Sequence, residues 1–187
     1  FGPQRFGRDG ANLRRALDWA RGGEAPRDRQ QCGFVLSAAR SFLFNEVLVE
    51  RVRRGDWNRL LPGEAAMLDG RRSFFHAAQV DATLAQRCAA MDVHPSGPLP
   101  GRGESPATDA ALDVERRALA AHDALVALLV AERMEYERRS LRLPVCEFSW
   151  VFEADDVLML RFVLPRGAFA TAVLHEFLAD AWDAGEE

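Results

Sequence analysis

The chain has 187 residues, 48% of them hydrophobic and 28% charged, with a net charge of −4, close to the average for globular domains. That balance excludes extensive disorder, and the longest uninterrupted apolar run, Ala124–Ala131, is well short of the ~18 residues that a membrane-crossing helix needs. All 24 basic residues are arginine, which excludes a Schiff-base lysine, a P-loop lysine and a Ser-Lys dyad from this segment.

Residues 1–10 hold three glycines and a proline among Phe and Arg, and predict a loop. Asn12 predicts the cap of a helix over Leu13–Arg21, with Leu13, Ala16, Leu17 and Ala20 on one face, ended by Gly22-Gly23. The polar stretch Glu24–Gln31 marks a boundary. Phe34–Arg54 is the clearest helix, with Gly55 at its C-terminal end. Ala65–Leu68 and Ser73–Ala77 flank an Asp69-Gly70 turn and predict a hairpin. A helix over Asp81–Met91 follows. Four prolines and three glycines make His94–Pro106 an expected irregular loop. Asp109 predicts the cap of a helical stretch to Arg139, broken near His122-Asp123. Glu147–Glu153 and Val157–Leu164 predict a second hairpin, with Phe148, Trp150 and Phe152 on one face opposite Leu158, Leu160 and Phe162. A helix from about Phe169 to Trp182 closes the chain. The order of elements is that of an α+β fold.

Charge is graded along the chain. Residues 1–60 hold 12 Arg against 7 acids, residues 61–146 hold 10 against 12, and residues 147–187 hold 2 against 9. A basic first third offers a patch to an anionic partner, or arginines that decorate solvated helix faces. Cys32, Cys88 and Cys146 are odd in number and far apart, and with His76, His94, His122 and His175 they make no metal-ligand spacing. Each cysteine sits in an apolar or helical context and reads as a core residue. Such thiols suit a reducing cytosol.

Four segments stand in one order: FGPQRFGR at 1–8, LSAARSFLFN at 36–45, LPGRGE at 99–104, and FVLPRGAFATAVLHEFL at 162–178. Together they resemble the TruD family of tRNA pseudouridine synthases, over essentially the whole chain. The resemblance implies a pseudouridine-synthase catalytic domain, a mixed sheet with helices, into which an α+β domain peculiar to the family is inserted. Residues 1–24 and 143–187 then belong to the catalytic domain, and 25–142 to the insertion. The implied activity is isomerisation of uridine-13 of tRNA, acting on a flipped base, with no metal and no organic cofactor. The implied partner is tRNA; a membrane is not, and the resemblance leans to a cytoplasmic monomer.

The family's catalytic Asp belongs to a motif that no part of this sequence matches. The chain therefore reads as the C-terminal portion of a longer enzyme, with no catalytic residue of its own and the nucleophilic Asp expected upstream. Asp155-Asp156, in a hairpin turn, does not take that role. The alternative is a non-catalytic RNA-binding protein derived from the family. Phe1 matches the family's aromatic beside the uracil pocket. Arg5 and Arg8 flank it, as phosphate contacts or, for Arg5, as packing against the sheet. Arg166 precedes a helix start and is a candidate RNA contact. Arg40, on an apolar helix face, suits a buried ion pair. Arg138, Arg139 and Arg142 cluster where the chain returns to the catalytic part, lining a cleft or a solvated face. Phe42, Phe44, Trp150 and Phe152 read as core.

Overall fold

A computed structural model describes residues 1–165 and 168–182. The chain forms two compact units, one of Phe1 and Pro3–Arg142 and one of Gly2 and the residues from Leu143 onward. Helices and strands alternate without a repeating βαβ pattern, so the fold is α+β.

The first unit opens with two short 3-10 turns, Pro3–Phe6 and Arg8–Gly10, where the sequence predicts plain loop. Helix α1 spans Ala11–Ala20. Its cap is Gly10 in the left-handed region rather than Asn12, because the chain leaves the preceding turn at φ 71°, which glycine adopts without steric cost. Helix α2 runs over Arg29–Arg53 and begins five residues before the apolar pattern does. The reason is Asp28, whose carboxylate accepts a 2.8 Å hydrogen bond from the Gln31 N–H. That bond satisfies one orphan donor and lets a polar first turn project beyond the core. Asp28→Ala is expected to lower stability by about 1 kcal/mol, read as a shift in the denaturation midpoint; an unchanged midpoint would count against this cap.

At its other end α2 stops as expected. Gly55 takes φ 70°, its N–H reaches Val52 O, and the Asp56 N–H reaches Arg51 O. This is the paired closure of a Schellman motif. Between these ends Val35, Leu36, Ala38, Ala39, Leu43, Phe44 and Val47 are buried. Among the described residues α2 is the one helix that is long and apolar enough to cross a membrane by length and composition. Here Val35, Leu36, Ala39 and Leu43 form a core with Ala16 of α1 and Leu125, Leu128 and Leu129.

Strands β1 (Glu64–Leu68) and β2 (Phe74–Ala77) form the expected antiparallel hairpin. Helix α3 (Ala82–Ala89) is capped by Asp81, which accepts from the Leu84 N–H at 2.7 Å. The stretch expected as irregular loop contains the end of one strand and the whole of another. Strand β3 (Val93–His94) adds to β1, and β4 (Ser96–Leu99) pairs with β5 (Glu137–Ser140). Gly97 and Pro98 have poor strand propensity, but β4 lies in a two-stranded sheet, where an outward-facing Pro nitrogen needs no partner. The strand exists because of a partner about forty residues later in the chain.

The predicted helix to Arg139 is likewise divided. Helix α4 spans Asp109–Leu119 and α5 spans Asp123–Ala131. The break at His122 falls as expected, but Asp109 is not the cap; Thr108 holds that position. Helix α5 ends in a second Schellman closure, with Arg133 at φ 59° and the Met134 N–H on Leu129 O. A left-handed arginine is uncommon, so the composition of Glu132–Tyr136 conceals the stop.

In the second unit β6 (Cys146–Ala154) and β7 (Val157–Val163) pair as an antiparallel hairpin, Trp150 opposite Leu160 and Phe152 opposite Leu158. Phe148 stacks at 6.4 Å on Phe162 and at 5.6 Å on Phe177 of α6 (Ala170–Trp182). Against expectation, Trp150 and Phe152 are exposed, at 62% and 61%, as is Cys146. They lie on a two-stranded hairpin, which has too few strands to enclose its own apolar face.

Candidate functional site

The first turn of the chain folds back onto α2. The Phe1 nitrogen donates to Asn45 Oδ1 at 2.7 Å, and Asn45 Nδ2 donates to Phe1 O at 2.8 Å. The Phe1 ring meets the Phe44 ring edge-on, with centroids 5.3 Å apart. Two guanidinium groups stand over the same ring, Arg139 at 4.6 Å and Arg5 at 5.3 Å. Both distances suit cation–π attraction. Arg5 Nη1 also donates to Ser37 Oγ at 3.2 Å. Ser37, Phe44 and Asn45 lie at i, i+7 and i+8 of α2, two turns apart on one face. Burial first, and then the charge of Arg5, lower the Arg139 guanidinium below its usual value. The site thus combines an aromatic ring with two like charges, an arrangement that favours a ligand with a flat ring and a phosphate.

Strand alternation separates the two neighbouring arginines of β5. Arg139 goes to Phe1. Arg138 is buried, its Nη2 donating to Glu115 Oε1 at 2.6 Å and to Ser96 O at 2.8 Å, and its Nε to Ser96 Oγ at 2.8 Å. Its Nη1 reaches Ser105 Oγ at 3.2 Å and the Tyr136 hydroxyl at 3.3 Å. Burial pulls this guanidinium down, but the Glu115 carboxylate and its hydrogen bond outweigh that and leave it raised. Arg142 donates to His94 Nδ1 and Asn58 O, both at 3.2 Å, and to the carbonyls of Cys88 and Val93. Because an arginine N–H only donates, His94 Nδ1 accepts, and Nε2 carries the hydrogen to Asp69 Oδ1 at 2.8 Å. Arg142 therefore ties the end of α3 to β3.

Of the candidates from sequence, Phe1, Arg5 and Arg139 come together. Arg8 is exposed on the second 3-10 turn. Arg138 and Arg142 have donors engaged within the protein. Arg166 lies outside the described residues. Arg40 forms an ion pair, Nη2 to Glu137 Oε2 at 3.3 Å, but not the buried one expected, because the Glu137 side chain is 51% exposed; Arg40 also donates to the carbonyls of Leu99 and Glu135. Sequence reasoning did not assign Ser37, Phe44 and Asn45 to the site. Their helical spacing within LSAARSFLFN was the available signal.

A family model described as tRNA pseudouridine synthase D (TruD) matches residues 18–177. The chain belongs to the TruD family. It is 50% identical over 177 residues to the tRNA pseudouridine synthase D of Nitrosococcus oceani, covering 94% of this chain and 49% of that protein. It is 48% identical over 186 residues to that of Azotobacter vinelandii, covering 99% of this chain and 52% of that protein. The chain thus spans about half the length of the curated TruD relatives it matches. A crystal structure of a candidate TruD from Methanosarcina mazei superposes with a TM-score of 0.66 at 18% identity, covering 95% of this chain and 45% of that one. At that identity the likeness is one of fold.

Proposed function

We propose that this chain is the C-terminal portion of a cytoplasmic, monomeric TruD enzyme that isomerises uridine-13 of tRNA to pseudouridine. The observation that carries the reading is the match of 94–99% of this chain, at 48–50% identity, to about half the length of proteins named tRNA pseudouridine synthase D. Residues 1–24 and 143–187 are then parts of the catalytic domain, and 25–142 the inserted domain. In the reaction the glycosidic N1–C1′ bond breaks and the detached uracil rotates. A C5–C1′ bond forms, N1 gains a proton and C5 loses one. The carboxylate that assists is an Asp upstream of Phe1.

This chain supplies recognition. The Phe1 ring takes the flipped uracil, while Arg5 and Arg139 attract its flanking phosphate. Arg8 and Arg166 add contacts to the RNA backbone. Arg138 holds β5, from which Arg139 projects, against β4 and α4, and Arg142 anchors the chain just beyond β5 to α3 and β3.

The test uses the natural-length protein that carries this segment. It is expected to convert uridine-13 in unmodified tRNA, read by mass spectrometry of RNA fragments. Its tRNA affinity is expected to fall linearly on a log–log plot as salt rises, because arginines displace counterions from phosphate. Salt-independent binding would count against the arginine surface. Salt-dependent binding without product would replace the enzyme by the non-catalytic RNA-binding reading.

A further inference from the structure

Asn45 is bonded to Phe1 at both of that residue's backbone polar groups. An asparagine amide offers one oxygen acceptor and one NH2 donor group. Here both are used on a single residue forty-four positions away. A peptide N–H at the Phe1 nitrogen satisfies the same acceptor as an amino group does. The other described contacts of Phe1 are contacts of its ring, with Phe44, Arg5 and Arg139. Ring contacts have broad minima and tolerate sliding. Two antiparallel hydrogen bonds are directional, and together they fix both the position and the rotation of the backbone they hold. The mount itself is firm, since Leu43, Phe44 and Val47 around Asn45 are buried in the core.

We propose that Asn45 is a positioning residue for pseudouridine formation, clamping the Phe1 backbone so that the ring meets the target base at one place and one angle. The inference rests on the assignment of Phe1 to the uracil-binding site. It predicts an effect on the chemical step, because a misplaced ring costs alignment rather than the phosphate contacts that hold the tRNA.

The experiment uses the natural-length protein with Asn45→Asp and Asn45→Ala, alone and combined with Phe1→Ala. Asn45→Asp is isosteric, keeps the acceptor and loses the donor to Phe1 O. Both single variants are expected to lower kcat for pseudouridine formation by about 10–100-fold, with KM for tRNA changed by less than about twofold. Added to Phe1→Ala, either change is expected to lower kcat no further, since a clamp without its ring has nothing to place. Wild-type kcat per folded molecule in both Asn45 variants, with Phe1→Ala impaired, would overturn the clamp alone. A further drop on the Phe1→Ala background would overturn it as well, by showing that Asn45 acts elsewhere. Wild-type kcat in Phe1→Ala would instead overturn the assignment of Phe1 on which the clamp rests.

Discussion

Glu115→Ala is expected to lower the stability of the 187-residue chain by about 3–5 kcal/mol. Glu115 of α4 and Arg138 of β5 are both buried, their side chains 5% and 1% exposed. Removing the carboxylate leaves a guanidinium charged and desolvated, without the directly bonded counter-charge that offsets most of the cost of taking it out of water. The damage extends beyond the pair. Glu115 Oε2 accepts from Ser105 Oγ at 2.8 Å, and Arg138 also binds Ser96. The Ser96 N–H in turn donates to Glu64 Oε1 at 3.2 Å, and Glu64 Oε2 lies 3.0 Å from Arg51. A continuous polar chain thus links α2, β1, β4, β5 and α4. Chemical denaturation of the purified chain measures the loss. Replacing both partners, as Glu115→Leu with Arg138→Met, is expected to recover most of it, because no unpaired charge remains. A loss of under about 1 kcal/mol for Glu115→Ala, the size of an ordinary surface substitution, would show that the pair does not organise the fold.

The 187-residue chain by itself is expected to form no pseudouridine. The reaction needs a carboxylate poised at the flipped nucleoside, in a pocket that excludes water. Among the described residues two acids are buried, and both are engaged. Glu115 is held by Arg138 and Ser105. Burial pushes the Glu64 carboxyl above the usual glutamate range, against the pull of Arg51, and its oxygens accept from Arg51, Ser96 and Leu61. Asp155 and Asp156 lie exposed at the tip of the β6–β7 hairpin. Neither buried acid is free to attack without abandoning these partners. Incubation of pure chain with unmodified tRNA, followed by nucleoside mass spectrometry, decides the matter. Product above the protein-free control would overturn the argument for an upstream nucleophile.

How much of this could be read along the chain differs by element. Helix α2, its Gly55 stop, the β1–β2 hairpin and the β6–β7 hairpin were all legible. Their signals are local: apolar periodicity, a glycine with positive φ, and two strands joined by a short turn. Strands β4 and β5 were not, because Gly97-Pro98 and Arg138-Arg139 have no strand signature until each has the other as partner. The end of α5 was hidden by an arginine in a conformation that composition assigns to glycine.

The candidate site divides in the same way. The sequence alone determined the family, through four ordered motifs, and it suggested the ring at Phe1 with Arg5 and Arg8 flanking it. Only the tertiary structure decided which arginine of the Arg138-Arg139 pair serves which end. Adjacent residues of a strand face opposite sides, so Arg139 meets Phe1 while Arg138 is sealed against Glu115. The sequence cannot fix that choice, since either phase of β5 is compatible with its residues and the register is set by β4. For the same reason Asn45 is recognised as the holder of Phe1 only once the chain has folded forty-four residues back onto itself.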